Sequence, residues 1–167
     1  MGRGASIAAS NPWYRARIEA AKSDGRFKSR ESAAELLDMS VSSLEEAETG
    51  KHKVMPPEKA WLMAERYGAP EMRNWYCLNE CPMGKGMAIS CDFVMIDRAA
   101  VKLTRVFRKE KIQWLKNTLQ DIAMDGVISD SELEDLDGVV DQLKDVARII
   151  SELEIIRERR KGGLNNG

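Results

Sequence analysis

The sequence predicts an all-α protein, and three observations support this fold class. Apolar residues recur with a period near 3.6 in the long segments, and the alternation typical of β-strands is missing. Residues that favour helix ends, chiefly Asn, Ser, Gly and Pro, stand at the borders of these segments. The chain has 167 residues, of which 43% are hydrophobic and 32% charged, an ordinary globular balance that suits one domain or two small ones.

Five short helices are predicted within residues 12–79, the first predicted domain. Helix one begins after the N-cap residue Asn11 and ends near Gly25. Its spacing places Tyr14, Ile18 and Ala21 on one face. Helix two begins after Ser29, and helix three spans residues 40–49 and ends at Gly50. Helix four spans residues 57–67, and helix five begins after Pro70.

Residues 80–93, with one Pro and two Gly, are predicted to be a linker to a long antiparallel helical hairpin at 94–160. One helix is expected over about 94–123 and the other over about 130–160, begun by the capping box Ser129-x-x-Glu132. The second helix has apolar residues in the alternating steps of three and four of a coiled coil, at Leu133, Leu136, Val140, Leu143, Ala147 and Ile150. The terminal segments 1–11 and 161–167 are expected to be flexible.

The charges of the two arms favour an antiparallel hairpin. Residues 98–116 hold seven Lys and Arg against one acid, and residues 121–145 hold nine acids against one Lys. Folding back would set the basic arm beside the acidic arm. The alternative is that "RVFRKEK" is a free basic patch for nucleic acid.

The segment "SRESAAELLDMSVSSLEEAETG" has the spacing of a helix-turn-helix. Stepping 100° per residue through its second helix places Ser40, Val41, Ala47 and Glu48 on the side of Leu44, toward the domain. The outward positions are Ser42, Glu46 and Thr49, flanked by Ser43 and Glu45.

This segment, with its Glu48-x-Gly50 ending and the following "VMPPEKAWLMAERYG", resembles the Xre/lambda-repressor-like helix-turn-helix family of transcriptional regulators. The resemblance covers residues 12–79 and implies a five-helix bundle that binds double-stranded operator DNA as a homodimer. It implies a regulator of bacterial or phage origin, with helix 40–49 in the major groove. The "NWYCLNECPMGKG" stretch is also similar to uncharacterised regulators of this type.

Carried over to this chain, the resemblance implies these DNA-binding residues: Arg30, Ser40, Ser42, Ser43, Glu46, Thr49, Lys51 and Lys53. Arg30 occupies a phosphate-contacting position, and Glu46 has the chemistry to accept from a cytosine amino group. Asp38 stands at the usual turn glycine. The hairpin is expected to pair with a second copy or with another protein, and the candidates for a dimer interface are Val139, Leu143, Val146, Ile150 and Leu153.

Two other functions stay open. The net charge of −1 and the acids on helix 40–49 also fit a protein-binding adaptor whose helix-turn-helix no longer binds DNA. Cys77, Cys81 and Cys91, with His52, suggest a metal or redox sensor, although their spacing is not that of a structural zinc site.

No catalytic set is found in the sequence. A single His and the lack of a nucleophile elbow or phosphate loop argue against an enzyme, and no cofactor or resident metal is expected. No apolar run approaches the length of a membrane span, and the N-terminus has no apolar signal region. A cytoplasmic protein is therefore expected.

Overall fold

The computed structural model describes residues 9–51 and 55–164, and these residues form α-helices without a β-strand. The all-α prediction is confirmed. Eight α-helices lie in the described ranges from Pro12 onward: α1 Pro12–Ser23, α2 Arg30–Leu36, α3 Val41–Thr49, α4 Pro57–Arg66, α5 Glu71–Asn79, α6 Ile96–Val106, α7 Lys109–Ile122 and α8 Asp130–Leu164. Short 3-10 turns lie at Gly25–Phe27 and Pro82–Gly84.

The helix ends follow the predicted capping chemistry. The Asn11 side chain accepts from the backbone N–H groups of Trp13 and Tyr14, and Ser29 accepts from Ser32. The Glu132 carboxylate accepts from the Ser129 N–H at 2.8 Å, which completes the capping box before α8. These local rules succeed because each cap is satisfied within a few residues of the chain.

The contacts divide the chain into two compact units. The first contains residues up to Gly86 together with residues from Glu158 onward, and the second contains Met87–Arg157. The division after Gly86 lies within the segment expected to be a linker, residues 80–93. The last residues of α8 group with the first unit, whereas sequence analysis assigned residues up to 160 to the hairpin.

The first unit has a closed apolar core. Its buried side chains are Trp13, Phe27, Ala33, Ala34, Leu37, Leu44, Ala47, Met55, Ala60, Met63, Ala64, Tyr67, Ala69, Met72 and Tyr76. On α1 the buried residues are Trp13 and Arg17, whereas Ile18 is exposed and Ala21 only partly buried, so the buried face is not the one that Tyr14, Ile18 and Ala21 share. The apolar spacing did not find this face because Arg17 is charged, and its burial depends on partners from other helices.

The first predicted helix of the C-terminal half is interrupted. Instead of a single helix over 94–123, α6 ends at Val106 and α7 begins at Lys109, with Arg108 in an extended conformation. The interruption falls in the cation-rich segment 105–111, where like charges three and four residues apart disfavour a continuous helix. The second predicted helix extends to Leu164, so it includes four residues that were expected to be in the flexible tail.

In the second unit, the loop before α6 is attached to α8 by a buried polar cluster. The Ser90 backbone N–H donates to Ser151 Oγ at 2.7 Å, and Ser90 Oγ donates to Glu152 Oε1 at 3.2 Å. Lys102 Nζ donates to the same oxygen at 2.6 Å. The expected ion pairs between the basic and acidic arms are not formed: none joins residues 98–116 to 121–145 in the described structure. Exposed pairs contribute little, so these side chains remain solvated at small cost.

Candidate functional site

The turn between α2 and α3 fixes where α3 begins. Asp38 has a φ of 48°, the left-handed conformation expected for the residue at the turn glycine position. The Met39 N–H then donates to the Ala34 carbonyl at 3.0 Å. Ser40 follows as the N-cap of α3, and its hydroxyl oxygen accepts from the Ser43 N–H at 3.0 Å. Gly50 ends the helix with a φ of 68°.

A buried ionic cluster attaches α3 to α1 and α2. Glu48 on α3 is fully buried and forms a two-point ion pair with Arg17 on α1, through Arg17 Nε and through Arg17 Nη2 at 3.1 Å from Glu48 Oε2. Arg30 on α2 donates from Nε to Glu48 Oε2 at 2.7 Å. Both carboxylate oxygens therefore have cationic partners, which is the condition for tolerating a charge in the core.

Arg17 is the central cation of this cluster. Besides Glu48, its Nη1 donates to the backbone carbonyls of Phe27 at 2.8 Å and Lys28 at 3.1 Å. Burial of the guanidinium opposes its charge, but the hydrogen bonds and charge of Glu48 outweigh burial, and the pKa of Arg17 is raised. The burial of Arg17 is not apparent from the sequence. The only available signal was its position one helical turn after Trp13, which no apolar pattern identifies as buried.

The outer face of α3 is open. Leu44, Ala47 and Glu48 are buried, as predicted for the inner face, and Ser42, Ser43, Glu45 and Glu46 are exposed. Thr49 is half-buried, and Ser40 and Val41, which were expected to face the domain, are exposed. Val41 lies on the first turn, where the neighbouring helices do not cover it.

Several of the hydroxyl groups predicted to contact DNA are engaged within α3. Ser40 and Ser43 share a contact of 2.8 Å between their Oγ atoms, and Thr49 Oγ1 donates to the Glu45 carbonyl at 2.8 Å. These bonds hold the helix ends, and each hydroxyl oxygen keeps lone pairs that can accept another bond. Ser42 is exposed and makes no such intrahelical bond in the described structure.

The cationic side chains near α3 differ in whether they are paired with an acid, bound to a carbonyl group or exposed. Arg30 is partly exposed and bound to Glu48, and its Nη1 lies 4.0 Å from Glu45 Oε1. Arg26 pairs with Asp24 at 2.7 Å, Lys59 Nζ donates to the Asp38 carbonyl at 2.7 Å, and Lys51 is exposed directly after α3. The predicted contacts Lys53 and His52 lie outside the described residues.

The three cysteines are not joined in disulfides, and each is half-buried. Burial, together with the charge of Cys81, raises the pKa of Cys77, which disfavours its reactive thiolate form. In the described parts of the chain, no three His, Cys, Asp or Glu side chains come close enough to hold a metal ion.

Comparison of the chain with protein-family models, with curated protein sequences and with solved structures gives no match. Within residues 9–51 and 55–164, none of the helices combines the length and the apolar character needed to cross a membrane.

Proposed function

We propose that the first unit is a helix-turn-helix bundle that binds double-stranded DNA through the outer face of α3, and that the protein regulates transcription. The observation that carries the proposal is the contrast between the two faces of α3. Leu44, Ala47 and Glu48 hold its inner face in the core, whereas its outer face is exposed from Ser42 to Glu46. A helix held in this way can enter the major groove without rearrangement of the unit.

The ionic cluster supports this proposal through preorganisation. Because Glu48 is bound by Arg17 and Arg30, α3 is attached to both preceding helices by charged, directional contacts. Binding then requires little ordering of α3, and the interaction energy is not reduced by that cost. In this proposal Arg30 orients α3 through Glu48, and its exposed part lies toward a phosphate, with Lys51 as a second phosphate contact.

The direct test is binding of the full chain to DNA from its own promoter over a range of salt concentrations, with a scrambled duplex as competitor. The proposal expects tighter binding to the promoter and an affinity that falls as salt rises. Lys51→Ala should weaken binding to all sequences and reduce the salt slope by about one. The absence of sequence preference at low salt would contradict the proposal.

Substitution of two carboxylates on α3, those of Glu46 and Glu45, tests the proposal more specifically. Glu46→Ala should relax the preference at a single base pair and leave overall affinity similar or higher, because a carboxylate selects cytosine but repels phosphate. Glu45→Lys should raise DNA affinity because position 45 flanks the groove. Glu65→Lys on α4 introduces the same charge at another exposed position. Equal effects of Glu45→Lys and Glu65→Lys would show that α3 does not meet DNA.

The second candidate function is a protein-binding adaptor. It is favoured by the acids on the outer face of α3, by the exposed Val41, and by the pairing of Arg26 and Arg30 with acids of the same unit. These features reduce the positive charge available for phosphates. This candidate expects no salt-dependent binding to any duplex, and the matched Lys variants distinguish it from the first.

The second unit is proposed to contain an antiparallel hairpin of α7 and α8. A Cβ atom added to Gly138 on α8 would lie 3.2 Å from Trp114 Cη2 on α7, so the indole packs against the place where α8 lacks a side chain. The short connection of residues 123–129 is compatible with this pairing.

A further inference from the structure

One side of α8 presents an exposed apolar stripe with coiled-coil spacing. Four of its large side chains, at positions 133, 140, 143 and 150, are between 38% and 51% exposed. The complete stripe consists of Leu133, Leu136, Val140, Leu143, Ala147 and Ile150, separated by alternating steps of three and four residues. All six residues belong to the second unit.

The contacts of α8 within the second unit are made beside the stripe. Val139 and Ile149 are buried, and Trp114 lies against Gly138. At 100° per residue, Gly138 lies about 140° around the helix from Leu143, whereas Val139 lies only about 40° from it, so the buried face adjoins the stripe. The residues of the predicted dimer interface therefore differ in exposure: Val139 is buried in its own chain, Val146 and Leu153 are half-buried, and Leu143 and Ile150 are exposed.

The alternating steps of three and four residues in the stripe are the same from either end of the helix. A second copy of α8 laid antiparallel beside the first therefore presents a matching row of apolar residues. In this register Leu133 lies opposite Ile150, Leu136 opposite Ala147, and Val140 opposite Leu143. The two central pairs are related by a twofold axis, so the contact is self-complementary and closed.

The charges of α8 select the antiparallel direction and one register. Residues 130–141 contain six acids and no base, so a parallel pair would place these acids beside their own copies. In the antiparallel register, Asp137 of one copy comes within about 3 Å along the axis of Lys144 of the other. Both residues follow a stripe residue by one position and so lie on the same edge. Two equivalent ion pairs would then flank the centre.

We propose that this stripe is the docking surface for a second copy of the chain, packed antiparallel in the register that joins Asp137 to Lys144. The adjoining acids disfavour nucleic acid as the occupant, since phosphates would be repelled and the apolar side chains would stay exposed. The proposal does not depend on DNA binding by α3 and is tested without DNA.

The first experiment measures the association state of the full chain by sedimentation over a wide range of protein concentrations. The wild-type chain is expected to form a concentration-dependent dimer. Val140→Glu with Leu143→Glu should raise the dissociation constant more than about a hundredfold, because four carboxylates would meet at the centre. Val101→Glu with Val127→Glu, at exposed apolar sites outside the stripe, should leave it unchanged.

Circular dichroism checks that the variants remain folded, which is expected because the substituted side chains are exposed in the single chain. A chain that stays monomeric at its highest attainable concentration would overturn the proposal. A dimer that survives the stripe substitutions but is lost in the control pair would also overturn it, since the surface would then lie elsewhere.

The second experiment tests direction and register by charge exchange. Asp137→Lys and Lys144→Asp should each weaken the dimer roughly tenfold, because two attractive contacts become repulsive. The double exchange should return the dissociation constant to near the wild-type value. In a parallel pair, Asp137 would lie beside Glu132 of the second copy, and Asp137→Lys would strengthen association. That result, or a double exchange that fails to restore binding, would overturn the register.

Discussion

The two units of this protein differ in the burial of their apolar side chains. Among the described residues, the first unit buries fifteen of them in its core and leaves four large ones exposed, whereas the second unit buries six and leaves sixteen exposed. Each unit also buries a glutamate. Glu48 has cationic partners at both oxygens, whereas Glu152 Oε2 has no partner in the described residues.

This difference agrees with the proposal that the second unit is covered by a second copy of the chain, whereas the first unit needs no such cover. Exposed apolar surface of this extent marks an interaction site in proteins that are otherwise well packed. A partner that covers it would stabilise the second unit in proportion to its concentration, whereas the stability of the first unit would not depend on concentration. The following predictions test this difference, from the largest expected effect to the smallest.

Glu48→Ala should destabilise the first unit by about 3–5 kcal/mol, because Arg17 would remain buried without its counter-charge. The measurement is urea unfolding followed by tryptophan fluorescence, to which Trp13, Trp61 and Trp75 of this unit contribute. Glu45→Ala on the exposed face of α3 is the matched control and should change the free energy of unfolding by less than about 0.5 kcal/mol. Similar effects of the two substitutions would refute a role of the cluster in stability.

Gly84→Ala should destabilise the same unit by about 3 kcal/mol, because closely packed sites cannot accept added atoms without strain. The added Cβ would lie 1.6 Å from the Cys77 backbone carbonyl oxygen, so the chain itself would have to move. Gly25→Ala is the control, since nothing lies within 4 Å of its Cβ position. The measurement is thermal unfolding of the two variants. Equal midpoint temperatures for the two variants would contradict the prediction.

Val139→Ala should destabilise the second unit by about 2 kcal/mol, since it removes buried methyl groups. Leu143→Ala, four residues along the same helix, should change stability by less than about 0.5 kcal/mol under conditions that keep the chain monomeric. Native-state hydrogen exchange of the α8 amides measures both. A larger effect at Leu143 would mean that the exposed stripe is covered within the single chain.

Tyr67→Phe should stabilise the first unit by up to about 1 kcal/mol at neutral pH, because the buried hydroxyl has no hydrogen-bond partner in the described structure. The ring contact with Phe27, at 5.3 Å between centroids, would be retained. Burial, and then the charge of Glu48, raise the pKa of Tyr67. The wild-type unit should therefore lose stability as pH rises past about 10, where tyrosine in the unfolded chain ionises.

The variant tests this pH dependence directly. Phenylalanine has no ionisable group at position 67, so the difference in unfolding free energy between variant and wild type should widen above about pH 10. A constant difference across this range would show that Tyr67 does not contribute to alkaline destabilisation.

The parts of the structure that could be predicted from sequence depend on contacts within a few residues. The caps at Asn11, Ser29 and Gly50, and the left-handed Asp38, follow from local hydrogen bonding and backbone preference. The inner face of α3 was also predictable at Leu44, Ala47 and Glu48, because a helix has a fixed angular period.

The parts that were missed depend on distant residues or on the balance of charges. Arg17 could not be placed in the core from its own helix, because its partner Glu48 lies 31 residues away in the chain. The interruption after Val106 contains neither Gly nor Pro, so no helix-breaking residue marks it. The exposure of each residue on α8 depends on contacts with distant parts of the chain, such as that of Trp114 with Gly138.

The last turns of α8 have a practical consequence for dividing this protein into fragments. Arg73 pairs with Glu158, and Arg159 Nε donates to Glu71 Oε2 at 3.1 Å, so the first unit draws two ion pairs from the far end of the chain. A fragment that stops at Gly86 would contain α3 and its buried cluster but would leave Glu71 and Arg73 without these partners. An expression plasmid for the isolated first unit should therefore encode residues 158–164 as well, joined through a designed connection.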